Sequence, residues 1–158
     1  MSDYFMATKL PFSNWSKKGV TKMNQTNYGF WKAVNLGYDE AIEKVTEELK
    51  KEGFGVLTEI DVKATLKKKL DVDFKPYKIL GACNPPYAYQ ALQSEEQIGL
   101  MLPCNVIVYV NDNGKTIVAA IDPVASMTAV ENAALEVHAQ EVRTKLQRVI
   151  QEMEQYSI

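Results

Sequence analysis

Two cysteines are the residues of this sequence best suited to chemistry. Cys83 lies in the run Gly-Ala-Cys-Asn-Pro, Cys104 lies in Leu-Pro-Cys-Asn, and an asparagine therefore follows each of them. Asn84 stands before two prolines, which is typical of a helix N-cap and predicts that Cys83 lies at the N-terminal end of a helix. The helix dipole at that end favours a thiolate, which attacks disulfides, carries a persulfide or binds a soft metal.

The same cysteines also fit interpretations without reactivity. Free cysteine is often buried as a small apolar side chain at a strand end, and we favour this interpretation over a reactive or metal-binding Cys83. A disulfide between Cys83 and Cys104 is the third alternative, and a reducing compartment disfavours it. A metal site needs more ligands than two thiols, and His138 is the only histidine in the chain. The alternative metal set is therefore Cys83, Cys104 and His138, with a soft metal as its ion.

Aromatic residues flank the first cysteine motif. Tyr77, Tyr87 and Tyr89 lie within seven positions of Cys83. They fit the lining of a small pocket, and packing in the core explains them at least as well. We predict a ligand-binding site here, and its expected residues are Cys83, Asn84, Tyr87 and Cys104.

Acid–base chemistry has weaker candidates. Glu59 and Asp61 share one face at a strand end, and paired carboxylates can divide acid and base roles between them. Asp61 also fits a helix cap, and His138 fits the boundary of an apolar stripe. The sequence contains no glycine-rich phosphate loop, zinc-protease helix or nucleophile elbow. It therefore leaves enzymatic activity open, favours a non-catalytic module and implies no cofactor by motif.

Composition and charge exclude some classes of partner. The chain has 158 residues, 46% of them hydrophobic, and a formal net charge of -2. A net negative charge argues against binding to a nucleic-acid backbone. No apolar run is long enough for a signal peptide or a membrane span, so we expect a cytoplasmic protein without a membrane partner. Polar residues 1–27 are expected to form a flexible arm or an edge extension, and residues 28–158 a single domain.

Hydrophobic periodicity predicts an alternation of strands and helices. A helix is expected from Tyr38 to a stop at Gly53, and a short helix after a cap at Asp61. Residues 87–92 should be helical, Ser94 should open a further turn, and residues 111–114 should form a hairpin turn. The last helix should run from about 132 to 156. The expected strands are residues 28–34, 54–60, 77–82, 104–110 and 115–121.

This order of elements predicts an α+β fold, with one mainly antiparallel sheet and two long helices packed on one face as a two-layer sandwich. In the strongest strand, Val106, Val108 and Val110 point one way, and Ile107 and Tyr109 point the other. Both faces of that strand are apolar, although a sheet with helices on one side normally alternates with polar residues. Either a loop or a second subunit must cover the spare face, and we favour a homodimer.

Four blocks of the sequence resemble the domain of unknown function 302 (DUF302) family. They are GFGVLTEIDVKATLK at 53–67, DFKPYKILGACNP at 73–85, IGLMLPCNV at 98–106 and AIDP at 120–123. The blocks occur in the expected order, and the likeness covers residues 34 to about 150. The resemblance implies an α+β fold that tends to form dimers and implies no agreed activity, so no catalytic residue is carried over. Pro86-Tyr87 departs from the less crowded helix start expected there.

Overall fold

The computed structural model describes residues 22–153, which form six strands, five α-helices and two 3₁₀ segments. The 3₁₀ segments are Glu96–Met101 and Thr128–Val130. The strands are β1 (Asn24–Gln25), β2 (Gly29–Val34), β3 (Gly55–Asp61), β4 (Tyr77–Cys83), β5 (Cys104–Val110) and β6 (Thr116–Ile121). The helices are α1 (Tyr38–Lys51), α2 (Val62–Leu70), α3 (Pro85–Ser94), α4 (Pro123–Met127) and α5 (Ala133–Glu152).

The strands form one sheet in the order β1-β2-β6-β5-β4-β3, and every neighbouring pair is antiparallel. The two long helices, α1 and α5, contact each other and the central strands. The predicted α+β class is therefore confirmed. Each of these two helices begins after a residue in an extended conformation and presents an apolar stripe to the sheet.

The main core lies between this sheet and the two long helices. Phe30, Leu80, Val106 and Val118 from four strands are fully buried against the helices. The apolar stripe predicted for the last helix is buried as expected, and its members are Leu135, Ala139, Val142, Leu146, Val149, Ile150 and Met153.

Lys32 is the most deeply buried charged residue among residues 22–153. Lys32 of β2 is fully buried, and its Nζ donates a hydrogen bond to the Gln151 carbonyl oxygen at 3.1 Å. The last carbonyls of a helix lack partners within the helix and carry the negative end of its dipole. The ammonium group therefore anchors the C-terminal end of α5 to the sheet.

The second face of the sheet is also apolar, as the sequence predicted. The strand register puts Ile60, Ile79, Ile107, Ala119 and Trp31 in one row across five strands. In the next row, Tyr77 and Tyr109 stack with their ring centroids 5.2 Å apart. Neither long helix packs on this face, and Ile60 is 48% exposed.

Several predicted turns and caps are confirmed. Asp61 accepts a hydrogen bond from the Ala64 N–H at 2.9 Å and caps α2. Asn111 accepts from two backbone N–H groups of the hairpin turn, where Gly114 has a φ of 77°. Gly53, with a φ of 87°, follows the end of α1, and this left-handed conformation suits glycine.

Two sequence expectations need correction. Asn84 stands at the N-cap of α3, but its side chain makes no capping hydrogen bond. Ser94 ends α3, and the 3₁₀ segment that follows begins after Glu95, with no side-chain cap. Residues 24–25 belong to the segment expected to be a flexible arm or an edge extension, and they form the edge strand β1 against β2.

Parts of two expectations lie outside the described residues. These are residues 1–21 of the arm and the predicted end of the last helix beyond residue 153. Within residues 22–153, no helix has the length and hydrophobicity needed to cross a bilayer.

Candidate functional site

A small cavity lies beside α3 and α5, at the C-terminal end of β4 and the N-terminal end of β5. We call it the thiol cavity. Its volume is about 60 Å³, and its wall is almost entirely apolar. All four residues predicted to bind a ligand line it, and so does His138. The lining residues are Phe54, Ala82, Cys83, Asn84, Tyr87, Ala88, Ala91, Leu102, Pro103, Cys104, Pro123, Met127, Leu135, His138, Ala139 and Val142.

The strand register brings the two cysteines to neighbouring positions in the sheet. Cys104, the first residue of β5, pairs with Ala82, and Cys83 is the next residue along β4. Both thiols are free and half-buried, so the alternative of a structural disulfide is wrong. Two residues that are 21 positions apart in the sequence therefore line the same cavity.

The thiol of Cys104 is the best-defined titratable group of the cavity. Burial, and secondarily the neighbouring Cys83, raise its pKa from the ordinary 9.0 to about 11. Desolvation penalises the charged form of an acid, so Cys104 is a neutral thiol at physiological pH. A neutral thiol is a weak nucleophile, and its environment disfavours charge in general.

The helix start beside Cys83 is less electropositive than the sequence led us to expect. Pro85 and Pro86 occupy the first two positions of α3, and proline has no backbone N–H. The Ala88 N–H already donates to the Asn84 carbonyl at 3.0 Å. Of the first turn, only the Tyr87 N–H remains to face an anion, which weakens the argument for a thiolate at Cys83.

The side chain of Asn84 acts as a hydrogen-bond donor. Its Nδ2 donates to the carbonyl oxygen of Glu52 at 3.1 Å, and the residue is 8% exposed. Glu52 is the C-cap of α1, and its carboxylate also pairs with Arg148 of α5 at 2.8 Å. One short region thus joins the end of α1, the start of α3 and the last third of α5, and it fixes the wall of the thiol cavity.

A wider cleft of about 560 Å³ opens beside the thiol cavity, and we call it the outer cleft. Asn84, Tyr87 and His138 line both spaces and therefore lie between them. The outer cleft is more polar than the thiol cavity, and its other lining residues are Glu52, Gly53, Pro86, Gln90, Glu141 and Lys145.

Tyr87 and His138 form an aromatic pair at this boundary. Their ring centroids are 6.0 Å apart and the rings meet edge to face. The Tyr87 hydroxyl hydrogen-bonds to the Glu141 carboxylate, which raises the pKa of Tyr87, and partial burial adds to the effect. The bond links α3 to α5, because Glu141 lies one turn after His138.

His138 carries an unusual nitrogen. Its Nδ1 is buried and has no hydrogen-bond partner, and it is the sole such side-chain atom among the described residues. A buried polar atom without a partner costs roughly 1–3 kcal/mol. His138 lines the thiol cavity, so a turn of its ring would let a ligand atom satisfy this nitrogen.

The metal alternative gains no support from this geometry. Within residues 22–153, no three or more His, Cys, Asp or Glu side chains lie close enough together to hold a metal ion. Cys83, Cys104 and His138 share a cavity wall, but they do not converge as a three-ligand site. Structural zinc requires four ligands, and residues 22–153 of one chain bring together fewer than three.

The remaining candidates lie elsewhere. Glu59 is absent from the cavity wall, and its carboxylate is 3.8 Å from Lys78 Nζ. Asp61 is used as a helix cap. Tyr77 stacks with Tyr109 on the other face of the sheet, and Tyr89 is 64% exposed. Glu59 and His138 therefore do not share the wall of the thiol cavity.

Sequence reasoning missed the helical side of the cavity. Leu135 and Ala139 close it from α5, and Met127 closes it from α4. The apolar spacing of these residues predicts that they are buried. It does not identify the residues that they contact, because those lie some 40–50 positions away in the chain. The link from Tyr87 to Glu141 carries no local signal either.

The fold and the cavity define the class of protein: a small α+β domain with an antiparallel sheet, two long helices on one face and a thiol-lined cavity at the ends of two inner strands. The model of the family described as "Domain of unknown function DUF302" matches residues 30–153. The chain therefore belongs to the DUF302 family, as its sequence blocks predicted.

A solved structure agrees with this assignment. The chain is similar to an uncharacterised conserved DUF302 protein from Bacillus stearothermophilus, known from a crystal structure. The two share 32% sequence identity and a TM-score of 0.72, over 77% of this chain and 94% of the other. No curated protein matches the chain.

Proposed function

We propose that this chain is a non-catalytic module that binds a small ligand in the thiol cavity and acts as a homodimer. The observation that carries the proposal is the cavity, a space of about 60 Å³ among residues that otherwise pack closely. Protein cores normally fill such voids, because empty space forfeits dispersion contacts. A space of this size accommodates a ligand of only a few non-hydrogen atoms.

The chemistry of the wall supports binding over catalysis. Its titratable groups are two thiols, one imidazole and one phenol, and burial keeps the Cys104 thiol protonated, with a pKa of about 11. General acid–base catalysis needs groups within hydrogen-bond reach of one another, and Nδ1 of His138 has no hydrogen-bond partner among the described residues. Free thiols at Cys83 and Cys104 also support a cytoplasmic location, where cysteines stay reduced.

Ligand entry is testable by NMR with xenon as the probe. We expect xenon to shift the methyl signals of Ala82, Ala91 and Ala139, which line the cavity, and to leave that of Ala119 unchanged. Ala88→Leu should fill the space and abolish the shifts. The control is Ala134→Leu, at an exposed position of α5. Cavity methyl signals that do not move in the wild-type protein would refute the proposal.

The apolar second face of the sheet supports the homodimer. Five strands spaced at about 4.8 Å, with about three outward residues each, give a face of roughly 20 by 20 Å. Two such faces bury on the order of 1,000 Å², which is the low end of specific interfaces. We therefore expect a weak dimer, formed at micromolar or higher protein concentration.

Analytical ultracentrifugation across a concentration series tests the dimer. Ile60 lies on this face and is 48% exposed, so Ile60→Lys should be tolerated by the monomer and should abolish association. Leu100→Lys is the matched control, because Leu100 is 84% exposed and lies on a 3₁₀ segment away from the sheet. A wild-type protein that stays monomeric at several hundred micromolar would exclude the dimer.

A thiol-based sulfur, redox or metal-handling protein is the second candidate. The proximity of the two sulfurs favours it, since Cys83 contributes to the raised pKa of Cys104. In this candidate Cys83 reacts and Cys104 assists. The test is the alkylation rate of Cys83 in a Cys104→Ser background, with wild-type and Cys83→Ser proteins compared for bound soft metal. A rate no faster than that of the unfolded chain, without bound metal, would remove this candidate.

A further inference from the structure

The wall of the thiol cavity has one polar anchor. The lining is apolar apart from a few groups, and Asn84 already uses its amide on Glu52. The buried Nδ1 of His138 has no partner among the described residues. A ligand that only filled the space would leave this nitrogen unsatisfied, whereas a ligand with one polar end would complete its hydrogen bonding.

The cavity also disfavours charged ligands. Cys104 lines the same wall, and burial there raises the pKa of its thiol by disfavouring the ionised form. An anionic or cationic ligand would meet the same desolvation cost, and the described residues of the wall include no lysine or arginine to offset it. Charged side chains lie outside, where Glu52, Glu141 and Lys145 line the outer cleft.

The route into the cavity passes the aromatic pair. Tyr87 and His138 contribute to both the thiol cavity and the outer cleft. A molecule that crosses from the polar cleft into the apolar space therefore passes the imidazole ring. This arrangement puts the polar end of the ligand near the cleft and its apolar body against the thiols.

We propose that the ligand of the thiol cavity is a small neutral molecule of a few non-hydrogen atoms, such as a short-chain alcohol or thiol, whose one polar group hydrogen-bonds to Nδ1 of His138 after a turn of the imidazole ring exposes this buried atom to the cavity. This inference rests on the proposed function and names its ligand class. His138 is a binding residue in this scheme, and the apolar body of the ligand contacts Cys83 and Cys104. No bond is made or broken.

The experiment compares three probes of similar small size: 1-propanol, propionate and xenon. Because His138 is the only histidine of the chain, its ring nitrogen signals are assigned without ambiguity. We expect 1-propanol to move both the His138 Nδ1 signal and the methyl signals of Ala91 and Ala139. Xenon should move the methyl signals and leave Nδ1 nearly unchanged, and propionate should bind at least ten-fold more weakly than 1-propanol.

Two variants complete the test. His138→Phe keeps an aromatic ring without the nitrogen, and it should weaken 1-propanol binding about five-fold while xenon binding persists. His138→Gln retains a hydrogen-bonding group and should recover part of the loss. Persistent xenon binding shows that His138→Phe has folded with its cavity intact.

The outcomes separate this inference from the proposed function. Equal affinity for propionate and 1-propanol would overturn the neutral class, and unchanged 1-propanol binding by His138→Phe would overturn the anchor. Either result, with xenon still bound, leaves the proposed function standing. If neither xenon nor 1-propanol reaches the alanine methyl groups of the wild-type protein, the proposed function and this inference both fail.

Discussion

Asn84 donates its side-chain amide to the backbone carbonyl of Glu52, 3.1 Å away, and leaves the helix that it precedes without a side-chain cap. The bond ties the end of α1 to the junction that carries Cys83 and Tyr87. Because the amide is buried and acts as a donor, the position does not behave as an ordinary N-cap, at which aspartate and asparagine are nearly equivalent.

Substitution of Asn84 should therefore distinguish a donor from a cap. Asn84→Asp replaces the donor with a buried carboxylate that faces a carbonyl oxygen, and it should lower the free energy of unfolding by about 2 kcal/mol or more. Asn84→Ala should cost less than Asn84→Asp. Urea denaturation provides the measurement.

Asp61 provides the reciprocal control. It accepts a hydrogen bond from the Ala64 N–H, and asparagine retains an acceptor oxygen. Asp61→Asn should change the free energy of unfolding by less than about 0.5 kcal/mol. An Asn84→Asp variant as stable as Asp61→Asn would contradict the donor role.

Gly81 is required by a close approach between strands. A β-carbon at Gly81 would overlap the Thr58 hydroxyl oxygen and lie 2.8 Å from Cγ of Pro103. Gly81→Ala should therefore cost about 2 kcal/mol or more of stability by overpacking. Thr58→Ala should recover part of the loss in the double variant, because the contact with Pro103 remains.

A second glycine gives the matched comparison for this effect. No heavy atom lies within 4 Å of a β-carbon built at Gly99. Gly99→Ala should be neutral or slightly stabilising, since alanine reduces the freedom of the unfolded chain. Thermal denaturation of Gly81→Ala, the Gly81→Ala/Thr58→Ala double variant and Gly99→Ala would show whether steric contact or backbone freedom determines the change in stability. Equal losses of stability at both glycines would contradict the steric argument.

Burial of Cys104 predicts a dependence of stability on pH in the alkaline range. Its pKa rises from 9.0 to about 11 in the folded protein. Below about pH 9 the thiol is protonated in both states, and its contribution to stability is fully present. Between pH 9 and 11 only the unfolded chain ionises, so up to about 3 kcal/mol of stability is lost over this window and no more is lost above it.

The comparison of wild type with Cys104→Ala isolates this contribution from the other groups that titrate there. Urea denaturation in the presence of a phosphine reductant at pH 8 and pH 10.5 gives the free energies of unfolding. The advantage of wild type over the variant should shrink as the pH rises. A constant difference between the two proteins would show that Cys104 keeps an ordinary pKa.

Leu135 closes the thiol cavity from α5 and is 3% exposed. Leu135→Ala should lower the free energy of unfolding by about 2–4 kcal/mol, because it removes buried methyl groups and enlarges the void. The same variant should admit larger probes, such as benzene, that the wild-type cavity excludes. Val137→Ala, at a position that is 62% exposed on the same helix, should change stability by less than about 0.5 kcal/mol.

The sequence by itself determined the elements and the faces that they bury. The buried stripe of α5, the hairpin after β5 and the cap at Asp61 follow from local spacing and turn chemistry, and each was predictable. The residues of β5 could also be assigned to opposite faces of the sheet from the sequence, because Val106 and Ile107 alternate on a pleated strand.

Tertiary structure decided which of those residues meet. The register of β4 with β5 brings Cys83 near Cys104, and the packing of α5 puts His138 opposite Tyr87. It also directed the Asn84 amide away from the helix and onto Glu52. The physical reason is that periodicity fixes the direction of a side chain within its own element, whereas its partner depends on strand order and helix placement across 20 to 100 residues of chain.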